Sequence, residues 1–298
     1  MRCKTVLTRI DELRTDELAR EERAAIEEHL GECRSCDESA HDLEALASLA
    51  KHLRTSPVRS CATTVCEAVR EKFGAFTAGE RAIWTVWSSR GIRAVTGGDW
   101  SADEFRARAG GRFGELEEAD VPPEVREPIE RVLRGEDPGK VELDLSELTE
   151  FERAVLDKLR TIPRGEVRPY RWLAAEVGRP TAVRAVGNVM ARNPIPLILP
   201  CHRVVPNGGG VGNYGLGGPD VKRTLLQTEG VPMDELDRLA RQHVRYVGSK
   251  TTRIFCFPTC RDARRIREEN RVLFHGEEEA ESKGFRPCLR CRPFSKAS

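Results

Sequence analysis

Residues 170–205 read YRWLAAEVGRPTAVRAVGNVMARNPIPLILPCHRVV, and this stretch decides what the second half of the chain can be. Two short helical patterns separated by Gly178-Arg179-Pro180 form a helix-turn-helix. The second pattern carries small residues, among them Ala185 and Gly187, where a reader of the DNA major groove would carry long polar side chains. Small residues let a backbone approach closely, which suits a narrow groove. The stretch therefore predicts a helical DNA-binding domain in which Arg184 is the long cation near the start of the second helix.

The second helix leads to a cysteine in a setting that suits a nucleophile. The apolar run 195–199 passes through Pro200 to Cys201, which stands directly before His202 and Arg203. The thiolate is the nucleophilic form of cysteine, and a neighbouring base or positive charge lowers its pKa from about 8.5. The alternatives are a buried, inert thiol and a histidine packed in the core. The pattern makes Cys201 a candidate nucleophile, and its wider surroundings decide between these interpretations.

Length and composition limit the class of protein. The 298 residues leave room for two or three small domains, and 39% hydrophobic with 33% charged residues excludes wholesale disorder. No run approaches the 18 apolar residues of a membrane span, and the start MRCKTVLTRIDELRTDE lacks the apolar core of a secretory signal. We therefore expect a cytoplasmic protein with no membrane partner. In that compartment its ten cysteines serve as metal ligands or nucleophiles rather than disulfides.

The net charge of +1 hides an uneven distribution. Residues 1–56 carry nine basic and thirteen acidic side chains, and residues 57–160 carry sixteen and twenty-one. Residues 161–230 carry nine basic against four acidic side chains, and residues 244–298 carry thirteen against seven. Basic segments attract nucleic acid and acidic segments repel it. Contacts to DNA are therefore expected in the second half of the chain.

Local patterns predict the secondary structure. Apolar periodicity predicts helices over 12–30 and 38–53, and residues 81–95 predict a β-hairpin around Ser88-Ser89-Arg90-Gly91. Capping boxes at 101–104 and 149–152 predict helix starts, and a helix that begins at Pro122-Pro123 should stop at Gly135. Residues 73–145 thus form a small mixed α/β unit, residues 149–230 are mostly helical, and 231–243 form a connecting helix or linker. The tail from 244 is short-stranded and rich in cysteine.

The stretch from about 149 to 230 resembles the O6-alkylguanine-DNA alkyltransferases, also called methylated-DNA–protein-cysteine methyltransferases. Five motifs in order carry the resemblance: Arg184-Ala185-Val186-Gly187, Asn193-Pro194-Ile195-Pro196, Pro200-Cys201-His202-Arg203-Val204, Gly212-Asn213-Tyr214 and Glu229-Gly230. Residues 73–145 resemble, more loosely, that family's ribonuclease-H-like N-terminal domain. The resemblance implies DNA repair by single-turnover transfer of an alkyl group from O6-alkylguanine, or O4-alkylthymine, in double-stranded DNA, without an organic cofactor.

The resemblance also assigns chemical roles. Cys201 attacks the alkyl carbon and keeps the alkyl group. His202 is the base that takes the thiol proton through a water, and Glu229 orients its imidazole. Asn193 holds the turn that carries the cysteine, and Tyr170 donates towards the base as it leaves.

Further residues are implied at the DNA. The damaged base is stacked inside the duplex and must be extruded before the thiol can reach it. Arg184 enters the vacated place, and Tyr170 presses on the 3′ phosphate side; the alternative for Tyr170 is a residue that packs the helix start. Gly215 offers a backbone N–H to the guanine O6, although Tyr214 and Lys222 lie eight positions apart here and seven in the family. The remaining expected contacts are Ala185, Gly187 and Asn188.

The C-terminal tail carries a strong metal signature. Its four thiols form two close pairs, Cys256-x3-Cys260 and Cys288-x2-Cys291, which is a tetrahedral zinc set. The sequence segments around them, from Thr251 to Cys260 and from Gly284 to Cys291, resemble the zinc domain of Ada. In that domain the first cysteine takes a methyl group from a methylphosphotriester. Carried over, this second methyl acceptor is Cys256; the alternative is a purely structural zinc knuckle. Arg253 departs from the glycine that the family usually has.

The N-terminal segment carries a looser set of ligands. His29-x3-Cys33-x2-Cys36 resembles the anti-sigma-factor zinc domains, with Cys3 as a fourth ligand and a sigma factor as the implied partner. The alternatives are a degenerate zinc fold without a sigma partner and a redox sensor. No role is assigned to Cys61 and Cys66, which are a partial zinc site or buried structural thiols.

Together these observations predict a multidomain α/β plus α fold. A ribonuclease-H-like N-terminal domain (57–145) precedes a helical, helix-turn-helix (winged-helix-like) alkyltransferase domain (146–232). Small zinc domains flank them at 1–56 and 244–298. The predicted function is alkyl-transfer repair of DNA. The alternative is a damage-responsive transcriptional regulator or anti-sigma protein that uses the alkyltransferase as a sensor.

Overall fold

The computed structural model describes residues 3, 5, 6, 9, 18–33, 36, 37, 40, 41, 71–79 and 81–293. The chain divides into two compact units, Met1–Ala68 and Val69–Ser298. Cys61, Cys66 and nearly all of the predicted helix 38–53 lie outside the described residues. Among the described residues, no helix has the length and apolarity that a membrane span requires.

In the first unit, helix α1 spans Arg20–Glu32. Ile26 packs with Val6, Leu18 and Cys36 in a small apolar core. The predicted helix 12–30 is wrong at Leu18 and Ala19, because Ala19 has extended backbone angles (φ −63°, ψ 147°) and the helix begins after it. The predicted residues 12–17 lie outside the described part of the chain.

A four-stranded sheet opens the second unit. Its strands are β1 (Glu71–Ala78), β2 (Arg81–Ser88), β3 (Gly91–Gly97) and β4 (Leu116–Glu118), in the order β3-β2-β1-β4. The first three are antiparallel neighbours and β4 is parallel to β1. Pairing of Ser88 with Gly91 confirms the predicted hairpin, whereas no local pattern predicted β1. Helix α2 (Ala102–Phe113) packs Phe105 on the sheet, with its ring stacked 4.7 Å from that of Trp84.

In the second unit, the helix starts predicted from the capping boxes and the predicted stop at Gly135 are confirmed. Helix α2 begins at the capping box of Ser101 and Glu104, and α4 (Glu150–Arg160) begins at that of Thr149 and Glu152. Such N-terminal caps stabilise a helix by about 1 kcal/mol each. Helix α3 (Pro123–Leu133) ends before Gly135, whose φ of 75° places it in the left-handed region. A Cβ atom there would lie 2.5 Å from the carbonyl oxygen of Thr228, so this position requires glycine.

The helical part that follows carries the helix-turn-helix. Helices α5 (Tyr170–Glu176) and α6 (Val183–Ala191) lie on either side of the turn at Gly178, and α7 (Gly218–Thr228) and α8 (Met233–Arg241) follow them. Strands β5 (Arg168–Pro169) and β6 (Val204–Val205) form a short parallel pair. This pair joins the segment before α5 to the segment shortly after Cys201, so the start of α5 is held close to the cysteine turn.

The C-terminal tail forms a second four-stranded sheet. Its strands are β7 (Tyr246–Ser249), β8 (Ile254–Cys256), β9 (Arg271–Phe274) and β10 (Arg286–Pro287), in the order β10-β8-β7-β9, with α9 at Glu277–Ser282. The predicted short-stranded tail is confirmed, and residues 231–243, for which a connecting helix or a linker was expected, contain helix α8. One apolar core runs through Ile83, Leu156 and Leu199 to Phe255 and Phe285, so the tail shares the core of the preceding domains.

Candidate functional site

Cys201 lies in a turn that hydrogen bonds hold rigid. The side chain of Asn193 donates to the carbonyl oxygen of Leu199 at 2.8 Å and accepts from the amide of Ile195 at 3.1 Å. Leu197, inside this turn, has the unusual φ of 77°. Cys201 then opens a single 3₁₀ turn and is only 6% exposed. The turn therefore fixes both the position and the burial of the thiol.

A buried histidine, carboxylate and guanidinium follow the thiol. Nε2 of His202 lies 2.9 Å from Oε1 of Glu229, and Arg203 binds the same carboxylate through Nε and Nη2 at 2.9 and 2.8 Å. The carboxylate can only accept, so Nε2 carries the imidazole proton and Nδ1 keeps its lone pair. Burial alone would raise the pKa of Glu229, but the hydrogen bonds from His202 and Arg203 hold it at about 2. Burial also lowers the pKa of His202, which stays a neutral base.

Lys222 is a second buried cation beside the thiol. Its Nζ donates to the carbonyl oxygen of Val204 at 2.6 Å, and burial lowers its pKa to about 8. Burial raises the pKa of Cys201, while the hydrogen bond to Asn193 and the charge of Lys222 act in the opposite direction. The sequence predicted neither this contact nor the pairing of Arg203 with Glu229.

The thiol lines a cavity of about 370 Å³. Of the predicted residues, Tyr170, Gly187 and Gly215 also line it; Met190, Ala191, Asn213 and Tyr214 complete the wall. Arg184, Ala185 and Asn188 lie on the exposed side of α6 rather than in the cavity. The cavity thus opens beside a helix whose outer face carries small residues and one arginine.

The extra residue after Tyr214 lies in a glycine turn. The amide of Gly218 donates to the carbonyl oxygen of Tyr214 at 2.9 Å, and Gly217 has a φ of 110°. Glycine adopts such angles without strain, so the loop closes directly onto α7. Gly215 consequently stays at the cavity wall.

Both predicted sets of metal ligands come together in the fold. The ligand atoms of Cys256, Cys260, Cys288 and Cys291 lie within 4.8 Å of one another, and all four residues are buried. Zn–S bonds of about 2.3 Å in a tetrahedron require sulfur atoms about 3.8 Å apart, so this set fits zinc. The ligand atoms of the N-terminal set also lie within 4.8 Å of one another, and its first ligand is exposed. The set consists of Cys3, His29, Cys33 and Cys36.

The C-terminal zinc cluster packs directly against the helical domain. Thr259, between the first two cysteines, accepts a hydrogen bond from the amide of Val167 at 2.9 Å. The guanidinium of Arg168 is buried between the rings of Trp172 and Phe257, at 5.6 and 5.2 Å from their centroids. The indole of Trp172 in turn donates to the carbonyl oxygen of Arg292 at 3.2 Å. These contacts join the residues next to the zinc ligands to the first helix of the helix-turn-helix.

Three family models match the chain. Residues 150–231 match the 6-O-methylguanine DNA methyltransferase, DNA binding domain; residues 237–293 match the metal binding domain of Ada; and residues 3–36 match a zinc-finger model. The fold and site therefore define a class: helix-turn-helix proteins with a buried thiol beside a carboxylate-bound histidine, here with structural zinc in both terminal clusters.

Comparison with individual proteins identifies the family. The methylated-DNA–protein-cysteine methyltransferase of Methanothermobacter thermautotrophicus is 35% identical over 122 residues, which cover 39% of this chain and 68% of that protein. The protein of that name from Rattus norvegicus is 49% identical over 83 residues, 28% of this chain and 40% of that protein. The chain belongs to the methylated-DNA–protein-cysteine methyltransferase family. It spans about two fifths of the length of the rodent relatives it matches.

Among solved structures, the chain is similar to that of the Mycobacterium tuberculosis OGT in complex with DNA. It is 28% identical, covers 56% of this chain and 98% of its own, and superposes with a TM-score of 0.45.

Proposed function

We propose that this protein repairs DNA by transferring an alkyl group from O6-alkylguanine, or O4-alkylthymine, to Cys201. The observation that carries the proposal is a buried thiol in the wall of a 370 Å³ cavity, next to a histidine held by a buried carboxylate. A cavity of this volume accommodates a flipped base with its substituent. Family membership and the names of the relatives support the same reaction.

The side chains around the thiol supply the proton transfer. Nδ1 of His202 is buried and has no hydrogen-bond partner among the described residues, so it can accept the thiol proton through a water. Glu229 and Arg203 hold the ring in this tautomer. The sulfur–carbon bond then forms as the carbon–O6 bond breaks, and the proton lost by the thiol balances the proton that guanine regains at N1. Since nothing in the reaction cleaves the thioether, each molecule acts once.

The helix-turn-helix serves as the contact to double-stranded DNA. Ala185, Gly187 and Asn188 give the outer side of α6 little bulk, so the helix can lie close to the duplex. Arg184 occupies the place of the extruded base, and Tyr170 at the cavity wall donates towards that base. Gly215 reads the guanine O6 through its amide. This arrangement separates base extrusion, on the outer face, from bond formation inside the cavity.

We extend the proposal to the four predicted modules. The sheet order β3-β2-β1-β4, with three antiparallel strands and a parallel fourth, supports the ribonuclease-H-like assignment of 57–145. Residues 146–232 then form the winged-helix-like alkyltransferase domain, and residues 1–56 and 244–298 form the zinc modules.

Cys256 is proposed as a second acceptor, for the methyl group of a methylphosphotriester. A cavity of about 490 Å³ reaches this thiol, and Thr251, Thr252, Arg265 and Arg267 line it with donors suited to phosphate oxygens. Zinc held by these four cysteines would keep the thiols deprotonated, and hence nucleophilic. A DNA-backbone ligand is therefore expected here rather than a base.

The regulator alternative has less support. The match of residues 3–36 is to a zinc finger and names no partner, whereas the relatives carry the name of the methyltransferase. A sigma factor as partner rests on the His-x3-Cys-x2-Cys spacing alone. Capture of a sigma factor by the full chain would support the regulator alternative.

Mass spectrometry with two substrates tests the proposal. A duplex with one O6-methylguanine and a duplex with one methylphosphotriester are each mixed with excess protein, which is then digested and mapped. We expect the first duplex to methylate the peptide of Cys201 and the second that of Cys256. Cys201→Ser should abolish only the first transfer, because a hydroxyl is a far weaker nucleophile near neutral pH. With the O6-methylguanine duplex in excess instead, more than one equivalent of guanine repaired per molecule would contradict the single-turnover mechanism.

A further inference from the structure

A second cavity meets the base cavity at the thiol. It has a volume of about 350 Å³ and shares Cys201, Met190, Ala191 and Gly215 with the base cavity. From there it extends away from α6 towards α2 of the sheet domain. A methyl group, similar in size to a water molecule, needs only on the order of 30 Å³. Transfer of methyl alone therefore leaves this space without a use.

The far wall of the second cavity belongs to the sheet domain and is firmly attached to the thiol turn. The amide of Val95 in β3 donates to the carbonyl oxygen of Pro194 at 2.9 Å. Leu216, which lines the cavity, lies against Gly97 at the end of the same strand. Both walls lie within the compact unit Val69–Ser298, so the cavity is a fixed feature of the fold.

Two arginines give this far wall its charge; a third, Arg192, lines the cavity from the end of α6 and interacts with the charge of Glu152. Arg108 and Arg112 lie one turn apart on α2 and both line the cavity. Their guanidinium carbons lie 5.3 Å from the ring centroid of Trp100 and 5.0 Å from that of Phe113. Stacking on a ring leaves the N–H groups at the guanidinium edge available to an acceptor.

Acidic neighbours offset the charge of the two arginines only in part: Glu104 interacts with the charge of Arg108 and Glu152 with that of Arg112, but neither carboxylate lines the cavity. Glu104 and Glu152 are each bound to the N-cap residue of their own helix, Ser101 and Thr149. Among the ion pairs of the described residues, none includes Arg108 or Arg112. An anion in the cavity would therefore give both guanidinium groups a direct ionic partner.

We infer that the second cavity receives O6-alkyl groups longer than methyl whose far end carries a carboxylate. The inference rests on the proposed function and names a substrate class for it. The reacting carbon passes from O6 to sulfur as for methyl, and the remainder of the group extends along the cavity to the arginines. The product is a thioether at Cys201 that carries the carboxylate, with the guanine restored.

Three duplex substrates test this inference with the full chain. They carry O6-methylguanine, O6-benzylguanine or O6-(4-carboxybenzyl)guanine at the same position, and the second-order rate of transfer is measured for each. In the wild type we expect the carboxybenzyl group to react about fivefold faster than benzyl, the factor that a partly exposed ion pair provides. Arg108→Gln with Arg112→Gln should bring this ratio close to one and leave the methyl rate unchanged.

A matched control lies on the same helix. Arg106 pairs with Asp103 and Glu118 and does not line the cavity, so Arg106→Gln should leave all three rates unchanged. The inference is overturned if benzyl and carboxybenzyl react equally in the wild type, or if neither reacts while methyl does. Equal slowing of all three substrates in the double variant would also overturn it, since the arginines would then contact the DNA backbone. Failure of the wild type to accept methyl would refute the proposed function instead.

Discussion

Replacing Glu229 by glutamine removes the negative charge that His202 and Arg203 share. The carboxyl pKa is about 2 in the folded protein against its usual 4.5, and the side chain is only 3% exposed. A difference of about 2.5 pKa units corresponds to about 3 kcal/mol of unfolding free energy. We therefore expect Glu229→Gln to lower the stability of the second unit by about 3 kcal/mol at pH 7.

The effect has a defined pH dependence. Because the folded-state pKa is depressed, this contribution is fully present above pH 4.5 and is lost as the pH falls towards 2. The difference between wild type and variant should thus shrink from about 3 kcal/mol at pH 7 to about 1.5 kcal/mol at pH 3.

Urea unfolding followed by tryptophan fluorescence measures this difference. All four tryptophans lie between residues 84 and 172, so the signal reports on the second unit. Glu117→Gln, at an exposed position of β4, is the matched control and should change the stability by less than about 0.5 kcal/mol. A loss below 1 kcal/mol at pH 7, or the same loss at both pH values, would refute the reasoning.

Three further perturbations have distinct expected results. Arg184→Ala should slow repair of duplex DNA more than reaction with the free modified base, since its proposed task is extrusion; equal slowing would contradict that role. Gly135→Ala should cost about 2 kcal/mol or more in urea unfolding, because the new Cβ meets Thr228, whereas Gly139→Ala has open space and should cost about 1 kcal/mol. Cys291→Ala should lower the zinc content by one ion per chain and reduce the thermal midpoint; an unchanged metal content in a chelator titration would exclude the cluster as a zinc site.

Features encoded by neighbouring residues could be predicted from the sequence. A capping box needs only four consecutive residues, so the starts of α2 and α4 could be predicted from the local sequence. The metal ligands could be predicted in the same way, because close cysteine pairs are rare except where a metal or a disulfide joins them. The same holds for Cys201 and His202, which stand side by side in the sequence.

Features that depend on distant contacts could not be predicted. Arg203 and Lys222 would ordinarily be assigned to the surface, and only their buried partners, 26 and 18 residues away, explain their positions. Strand β1 begins with Glu71, a charged residue that is buried because it pairs with Arg93 on the strand at the far side of β2. In each case the partner lies on another element, and no local pattern identifies it.

The hydrogen bonds from Val167 to Thr259 and from Trp172 to Arg292 make the C-terminal tail and the helical domain depend on each other. Modules joined by a loose linker can be exchanged, lost or reordered between genes without damage to either. Here the tail shares one apolar core with the helical domain, and Arg168 is enclosed by rings from both sides. Deleting the tail would expose the faces of Trp172 and its neighbours to water, so we expect the helical domain of this chain to be less stable without the tail.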